Sequence, residues 1–424
     1  MAQWQAAKSY PVPSVSESEI PYSMAPSQER RVAPSQTRVV QIAAAGGNQV
    51  DGGLLAFNIS APSHLIKSGS CYLRGKIEVT TGAAGGWAFL GGELGDVGSA
   101  AGIIQKFTLM AQGNVIEQIN NVRDLYGLLL THTNKSYCEA DACVKERRGF
   151  TAGVTATKYD FVIPVFSGLL NNGKNFPAYL TSQVSLNFDL NPVKQALRAA
   201  AATEANPTKY EISEAFLVYE AVEPDNSYLA AVRQRLASGE AYALNYVTYK
   251  HQQMANQATI SALQGLSSSS LRAVLFTKID NAAGTNSTAT DGRYNDDYAA
   301  SSDADIILQL DGRDILGTKL NSANVQFTEM ERALGRLGSP DLNSALSGST
   351  TAAKITDYTE RKWLCGINCN RDDSANMAFS GTPVNQLLLR VAGAAAGASL
   401  TFHMWSVVDQ VLMISADGSS RVVQ

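Results

Sequence analysis

At 424 residues, with 45% hydrophobic and 17% charged residues and a formal net charge of −4, the chain is long enough for two domains. It is too mildly acidic to act as a nucleic-acid binder that works by charge. Residues 1–30 lack the continuous apolar core of a secretory leader, and the best stretch for a membrane span, 386–414, is broken by Arg390, His403 and Asp409.

Residues 1–36 carry Pro11, Pro13, Pro26 and Pro34 among Ser, Gln and Glu without apolar periodicity, which reads as an extended arm. From 37 onward the pattern is β. Arg38–Ala43 and Leu54–Ile59 read as short strands around a Gly-rich turn, and 70–81 alternates Leu73, Ile77 and Val79 with Tyr72, Arg74, Lys76 and Glu78. Residues 82–101 read as a Gly/Ala-rich loop. Then comes a compound unit over 103–131: an apolar run, a Gln-Gly-Asn turn at Gly113, a short second strand and a helix with Val122, Leu125, Tyr126 and Leu129 on one face.

A polar loop (132–156) leads to a strand ending at Pro164, a Ser-Gly break before Leu169-Leu170, and an Asn-Asn-Gly turn. Residues 181–191 alternate Val184, Leu186, Phe188 and Leu190. An Ala-rich helical piece (193–205) precedes a long strand at 209–224, and Pro224-Asp225-Asn226 marks a domain boundary. The second half opens with a helix over 227–239 capped by Gly239. Strands are expected at 241–252, 268–280, 361–369, 384–394 and 398–415, with a Gly/Ser/Thr/Asp loop at 281–304 and a polar tail from 416.

The compound unit recurs at 305–337, with its turn at Gly312, 312 − 113 = 199 positions from Gly113. Leu73-Arg74 and Leu271-Arg272 open similar strands, 272 − 74 = 198 positions apart. Two matches at nearly one offset indicate an internal duplication. Each half offers enough short strands for an eight-stranded antiparallel sandwich, so the expected fold is all-β: two tandem jelly rolls with short inserted helices. The expected division is an arm (1–36), a first jelly roll (37–224), a second (225–415) and a C-terminal tail (416–424).

Catalytic signatures are missing. The four histidines, His64, His132, His251 and His403, lie far apart, and none pairs with another at ligand spacing. No nucleophile elbow and no phosphate loop occurs. The cysteines (Cys71, Cys138, Cys143, Cys365, Cys369) are odd in number and fit a reduced compartment; Cys138/Cys143 and Cys365/Cys369 lack the two-residue spacing of zinc knuckles. Asp291, Asp296, Asp297, Asp303 and Asp305 crowd one loop but match no EF-hand. Asn58, Asn134 and Asn286 open glycosylation sequons, and Trp405 lies in a closing strand that suits the core better than a sugar platform. No catalytic, cofactor or metal residue is assigned.

Three stretches carry a family resemblance: 161–191 (FVIPVFSGLLNNGKNFPAYLTSQVSLNFDLN), the strand–turn–strand–helix unit from Phe107 (FTLMAQGNVIEQINNVRDLYGLL), and 266–280 (LSSSSLRAVLFTKID). With the duplication, the chain resembles the double jelly-roll major capsid proteins of icosahedral, often membrane-containing DNA viruses. The resemblance implies a structural, non-enzymatic virion protein. It further implies a homotrimer of pseudo-hexagonal outline, neighbouring capsomers and minor or penton proteins as partners, and an internal membrane as the contact of arm 1–36. No sequence-specific nucleic acid is implied. Loops 82–101, 132–156 and 281–304 would then form the outer tower or intersubunit contacts. The rival readings are a two-domain carbohydrate-binding or adhesion protein, and an enzyme on a tandem sandwich.

Overall fold

The computed structural model describes residues 35–60, 62–81, 86–89, 99–132, 154, 158–199, 207–255, 257–280, 305–317, 319–335, 363–371, 379–392 and 400–424. The arm before 35, most of the three long loops, Cys138, Cys143, Asn134, Asn286 and the aspartates from 291 to 303 lie outside these residues. No described helix is long and apolar enough to cross a membrane.

Up to Pro224 the strands run β1 (Ser35–Ala43), β2 (Gln49–Val50), β3 (Leu54–Ser60), β4 (Leu65–Ile66), β5 (Tyr72–Thr81) and β6 (Trp87–Phe89). They continue with β7 (Ile104–Ala111), β8 (Asn114–Asn120), β9 (Lys158–Pro164), β10 (Gln183–Leu190), β11 (Leu197–Ala199) and β12 (Pro207–Pro224). The second half supplies β13 (Tyr242–Ala255), β14 (Thr259–Asp280), β15 (Asp305–Leu310) and β16 (Arg313–Asp314). It closes with β17 (Cys365–Asn368), β18 (Thr382–Ala392), β19 (Leu400–Ile414) and β20 (Ser420–Val423). The helices are α1 (Val122–Thr131), α2 (Val193–Ala196), α3 (Asn226–Ala237) and α4 (Ala323–Ala333).

The first half pairs its strands as β1-β12-β5-β9 and β3-β10-β7-β8, all antiparallel. The second half is hydrogen-bonded into one sheet, but β14 belongs to two layers. Its first part, from Thr259, pairs with β18, which pairs with β15; its second part, Leu271–Asp280, pairs with β19 on one side and β17 on the other. Reading β14 as two consecutive strands gives β13-β19-β14-β17 and β14-β18-β15-β16. Counted along the chain without the short strands β2, β4, β6, β11 and β20, both halves then share one order: first-eighth-third-sixth in one layer and second-seventh-fourth-fifth in the other. That is the jelly roll, made twice. Among the described strands, none before Pro224 pairs with one after Tyr242.

The duplicated turns show why the two matched glycines recur. Gln112-Gly113 has φ of 50° and 80°, and Asp311-Gly312 has 48° and 78°. Positive φ at both central residues is the two-residue hairpin turn that fits the strands' twist, and glycine adopts it without steric cost. Leu73 and Leu271 are both fully buried. Arg74 donates to Gln41 (2.7 Å) and lies over the Phe216 ring, and Arg272 donates to Asp409 (2.8 Å).

Alternation fills the cores. In the first sandwich Leu55, Phe57 and Ile59 of β3 lie beside Phe188, Leu186 and Val184 of β10 on the buried face of one sheet, and the Phe188 ring lies 5.9 Å from Phe57 and 5.3 Å from Phe107. In the second, Phe276 meets Trp363 and Phe402 at 5.8 Å each. Burying one such phenyl group contributes about 1.5–3 kcal/mol.

Several segments depart from the sequence reading. Of the Ala-rich piece read as helical at 193–205, Val193–Ala196 is helix but Leu197–Ala199 is strand β11, pairing with β6 inside the stretch read as a loop at 82–101; residues 200–205 lie outside the described residues. Leu197 and Trp87 are buried there, so tertiary packing outweighs alanine's helix propensity. The strand expected from 268 starts at Thr259, because register shifts at Gly265–Ser268 and Ser268–Leu271 let it turn the corner between layers without stopping. The tail from 416 is not free: Ser420–Val423 pairs with β19.

Candidate functional site: the junction between the two sandwiches

The two sandwiches meet where β8 and the 165–172 segment of the first lie along the outer edge of β13 in the second. Glu117 is the buried polar centre of this contact. Its side chain extends from β8 toward the Ser-Gly-Leu-Leu break, accepting hydrogen bonds from the Ser167 hydroxyl and from the backbone N–H groups of Gly168 (2.7 Å) and Leu169 (3.3 Å). Burial nevertheless pushes the Glu117 carboxyl above its ordinary value, because desolvation outweighs these donors.

Gly168 explains how closely the halves approach. A Cβ built on it would fall into the Val247 carbonyl, 2.8 Å from its carbon, and 3.1 Å from Glu117 Oε1. Beside it the Tyr246 hydroxyl donates to the Ile116 carbonyl (2.6 Å) and Asn172 donates to the Asn245 carbonyl (3.0 Å). Phe166 stacks on Tyr249 with centroids 5.4 Å apart, and Tyr126 of α1 meets Phe166 edge-on at 5.6 Å. Carbonyls of an edge strand are thus capped by the other sandwich, which hides an edge that would otherwise template aggregation.

At one end the junction opens into a polar cleft of about 400 Å³. Its walls include Lys106, Asn121, Arg123, Asp124 and Asp189 of the first half and His251, Gln253 and His403 of the second. The charges are internally matched: Arg123 forks onto Asp124 (2.9 and 3.2 Å) and Lys106 pairs with Asp189 (2.6 Å).

Two of the histidines that lie far apart in sequence meet in the structure. His251 Nε2 lies 3.0 Å from His403 Nδ1, and Asn121 Nδ2 lies 3.0 Å from that same nitrogen. The ring centroids are 5.2 Å apart and the planes differ by 27°. Subtracting the nitrogen separation, 5.2 − 3.0 = 2.2 Å, leaves about two imidazole radii, so the nitrogens face each other head-on. This is an N–H···N hydrogen bond and not a converging ligand pair. Among the described residues no three His, Cys, Asp or Glu side chains gather at metal-binding range. Sequence spacing could not reveal the pair, because it forms across strands 152 positions apart.

The remaining candidates are dispersed. His64 bonds to Tyr219 (3.0 Å) in the first sandwich, and His132 is buried after α1. Cys71, Cys365 and Cys369 are buried free thiols, and burial raises the Cys71 and Cys369 thiols to about 12, far from reactive. Asp305 pairs with Lys319 (2.6 Å), and Asn58 accepts from the Ser185 hydroxyl (2.8 Å). Trp405 is fully buried and packs against His251 and His403.

No protein-family model and no curated protein matches the sequence. Solved structures do match in shape. The Faustovirus major capsid protein aligns with a TM-score of 0.60 at 8% identity, covering 91% of this chain and 91% of that one. The PBCV-1 virus capsid structure aligns at 0.56 and 12% identity, covering 94% of this chain and 98% of that one. The mavirus major capsid protein aligns at 0.50 and 11% identity, covering 100% and 95%. At such identities the likeness is one of fold: this chain has the double jelly-roll architecture of the major capsid proteins of icosahedral viruses.

Proposed function

We propose that the chain is a major capsid protein, a structural and non-enzymatic subunit of an icosahedral virion shell. One observation carries the reading: two sandwiches of identical strand order are held side by side through a buried junction, along nearly the whole length shared with known capsid proteins. In this reading residues 37–224 and 225–415 form the two jelly rolls. Three chains associate into a capsomer of pseudo-hexagonal outline, six sandwiches around one axis, which tiles the shell against its neighbours and against minor or penton proteins. Arm 1–36 faces the interior and an underlying membrane, and loops 82–101, 132–156 and 281–304 form the tower and intersubunit contacts.

Exposed apolar side chains support an oligomer. Val39 of β1 is 70% exposed, and Val115 of β8 and Leu263 of β14 are about half exposed. Packing within the chain leaves these side chains for a neighbour to cover. The carbohydrate-binding alternative loses its aromatic platform, since Trp405 is inaccessible.

Light scattering after gel filtration tests the reading. A mass near three times the 45.2 kDa chain is expected, and a monomer at every concentration would overturn it. Deleting 285–300 is expected to leave that trimer intact; loss of all soluble protein would contradict the placement of that loop.

A further inference from the structure

The His251–His403 pair lies at the cleft end of the junction and shares no hydrogen-bond partner with Glu117. Its hydrogen bond needs one proton between two facing nitrogens. With none or one extra charge on the pair the contact survives; with two protons facing each other at 3.0 Å it cannot. Asn121 makes the contact matter to both halves, because it brings the first sandwich onto the same His403 nitrogen at 3.0 Å. Asn121 itself has φ of 55° immediately before α1, a left-handed backbone that asparagine tolerates.

We propose that this pair is an acid-operated latch between the two sandwiches: uptake of a second proton separates the imidazoles, releases Asn121 and opens the junction at its cleft end. The surroundings set the direction. From α1, Asp124 favours the protonated rings and Arg123 opposes protonation of His403; across the cleft, Lys106 and Asp189 neutralise each other. On β14 the neighbours are Thr277, directly across from His403, and Ile279, and neither titrates. Trp405 packs against both rings, at 5.2 and 5.9 Å, so a displaced imidazole moves toward the cleft. Burial holds His251 down to about 4 and His403 to about 3, which keeps the latch closed at neutral pH. Glu117 does not join the release: a carboxyl accepts from Ser167, Gly168 and Leu169 in either protonation state, so the far end of the contact stays closed and the motion is a hinge.

Hydrogen exchange of the full-length protein from pH 7.5 to pH 3.5 tests this, with rates corrected for the intrinsic pH dependence of exchange. Protection at amides 121–126, 249–253 and 401–405 is expected to fall at least about tenfold at the acid end, while 167–170 stay protected. His251→Gln retains a neutral partner for His403 and is expected to abolish the acid-induced loss. An equal loss in His251→Gln, or none in the unsubstituted protein, would overturn the proposal. Should His251→Gln fail to fold, Asn121→Ala serves instead: exchange at 401–405 is then expected to be high already at pH 7.5, and wild-type protection there would overturn it.

Discussion

The two sandwiches share their strand order but differ in the hairpin that carries the duplicated turn. In the first, β8 runs for seven residues and enters α1 almost at once; in the second, β16 has two residues, both exposed, and α4 begins well after it. The difference follows what lies alongside. β8 carries Glu117 and the Ile116 carbonyl into the junction, whereas Arg313 and Asp314 of β16 are both exposed. What is duplicated is the set of strands needed to close a core. What is unequal marks where one copy touches the other.

If both cores are equivalent, removing their central rings is equally damaging. Phe188→Ala and Phe276→Ala are each expected to cost about 3–5 kcal/mol in denaturant unfolding, and a large inequality would break the comparison. The junction is the next largest effect. Gly168→Ala drives a methyl group into a backbone carbonyl that cannot rotate away, so about 3 kcal/mol is expected, against about 1 kcal/mol for Gly113→Ala at the free turn. The matched arginines then separate. Asp409 is buried and also accepts from Ser270 (2.5 Å), so Arg272→Ala strands a charge and costs about 2–3 kcal/mol, while Arg74→Ala on the exposed face costs under about 1 kcal/mol.

The pH dependence sharpens the contrast between the junction's two ends. His251 titrates at about 4 when folded against 6.5 when unfolded, so below pH 6.5 the unfolded chain takes up a proton that the folded chain refuses. Stability is therefore lost between pH 6.5 and about 4, on the order of 3 kcal/mol for this ring. Glu117 works in the opposite sense. Its folded value is raised above 4.5, so the ionised form costs stability at neutral pH and that cost is relieved as pH falls through the folded value. Thermal melts of His251→Gln and Glu117→Gln are expected to remove slopes of opposite sign.

Much of this fold is legible in the sequence because jelly-roll strands alternate. Val184, Leu186, Phe188 and Leu190, buried in turn along β10, are readable without coordinates. The duplication is readable because two hairpin turns demand the same rare backbone and so preserve their glycines. The corner in β14 is not readable, since a bulge leaves alternation intact on either side and hides the change of layer. Nor is the junction. Glu117 and Gly168 look like a surface carboxylate and a loop glycine until Val247 lies against them, and His251 finds His403 only through sheet register. Contacts of high sequence separation leave no local periodicity.

The central claim is that two locked sandwiches per chain build a capsomer of three chains. Electron microscopy of the purified full-length protein addresses it most directly. The account predicts threefold averages of hexagonal outline, with two lobes per chain at a fixed spacing. Single two-lobed particles whose lobes vary in orientation would contradict both the assembly and the rigid junction on which it rests.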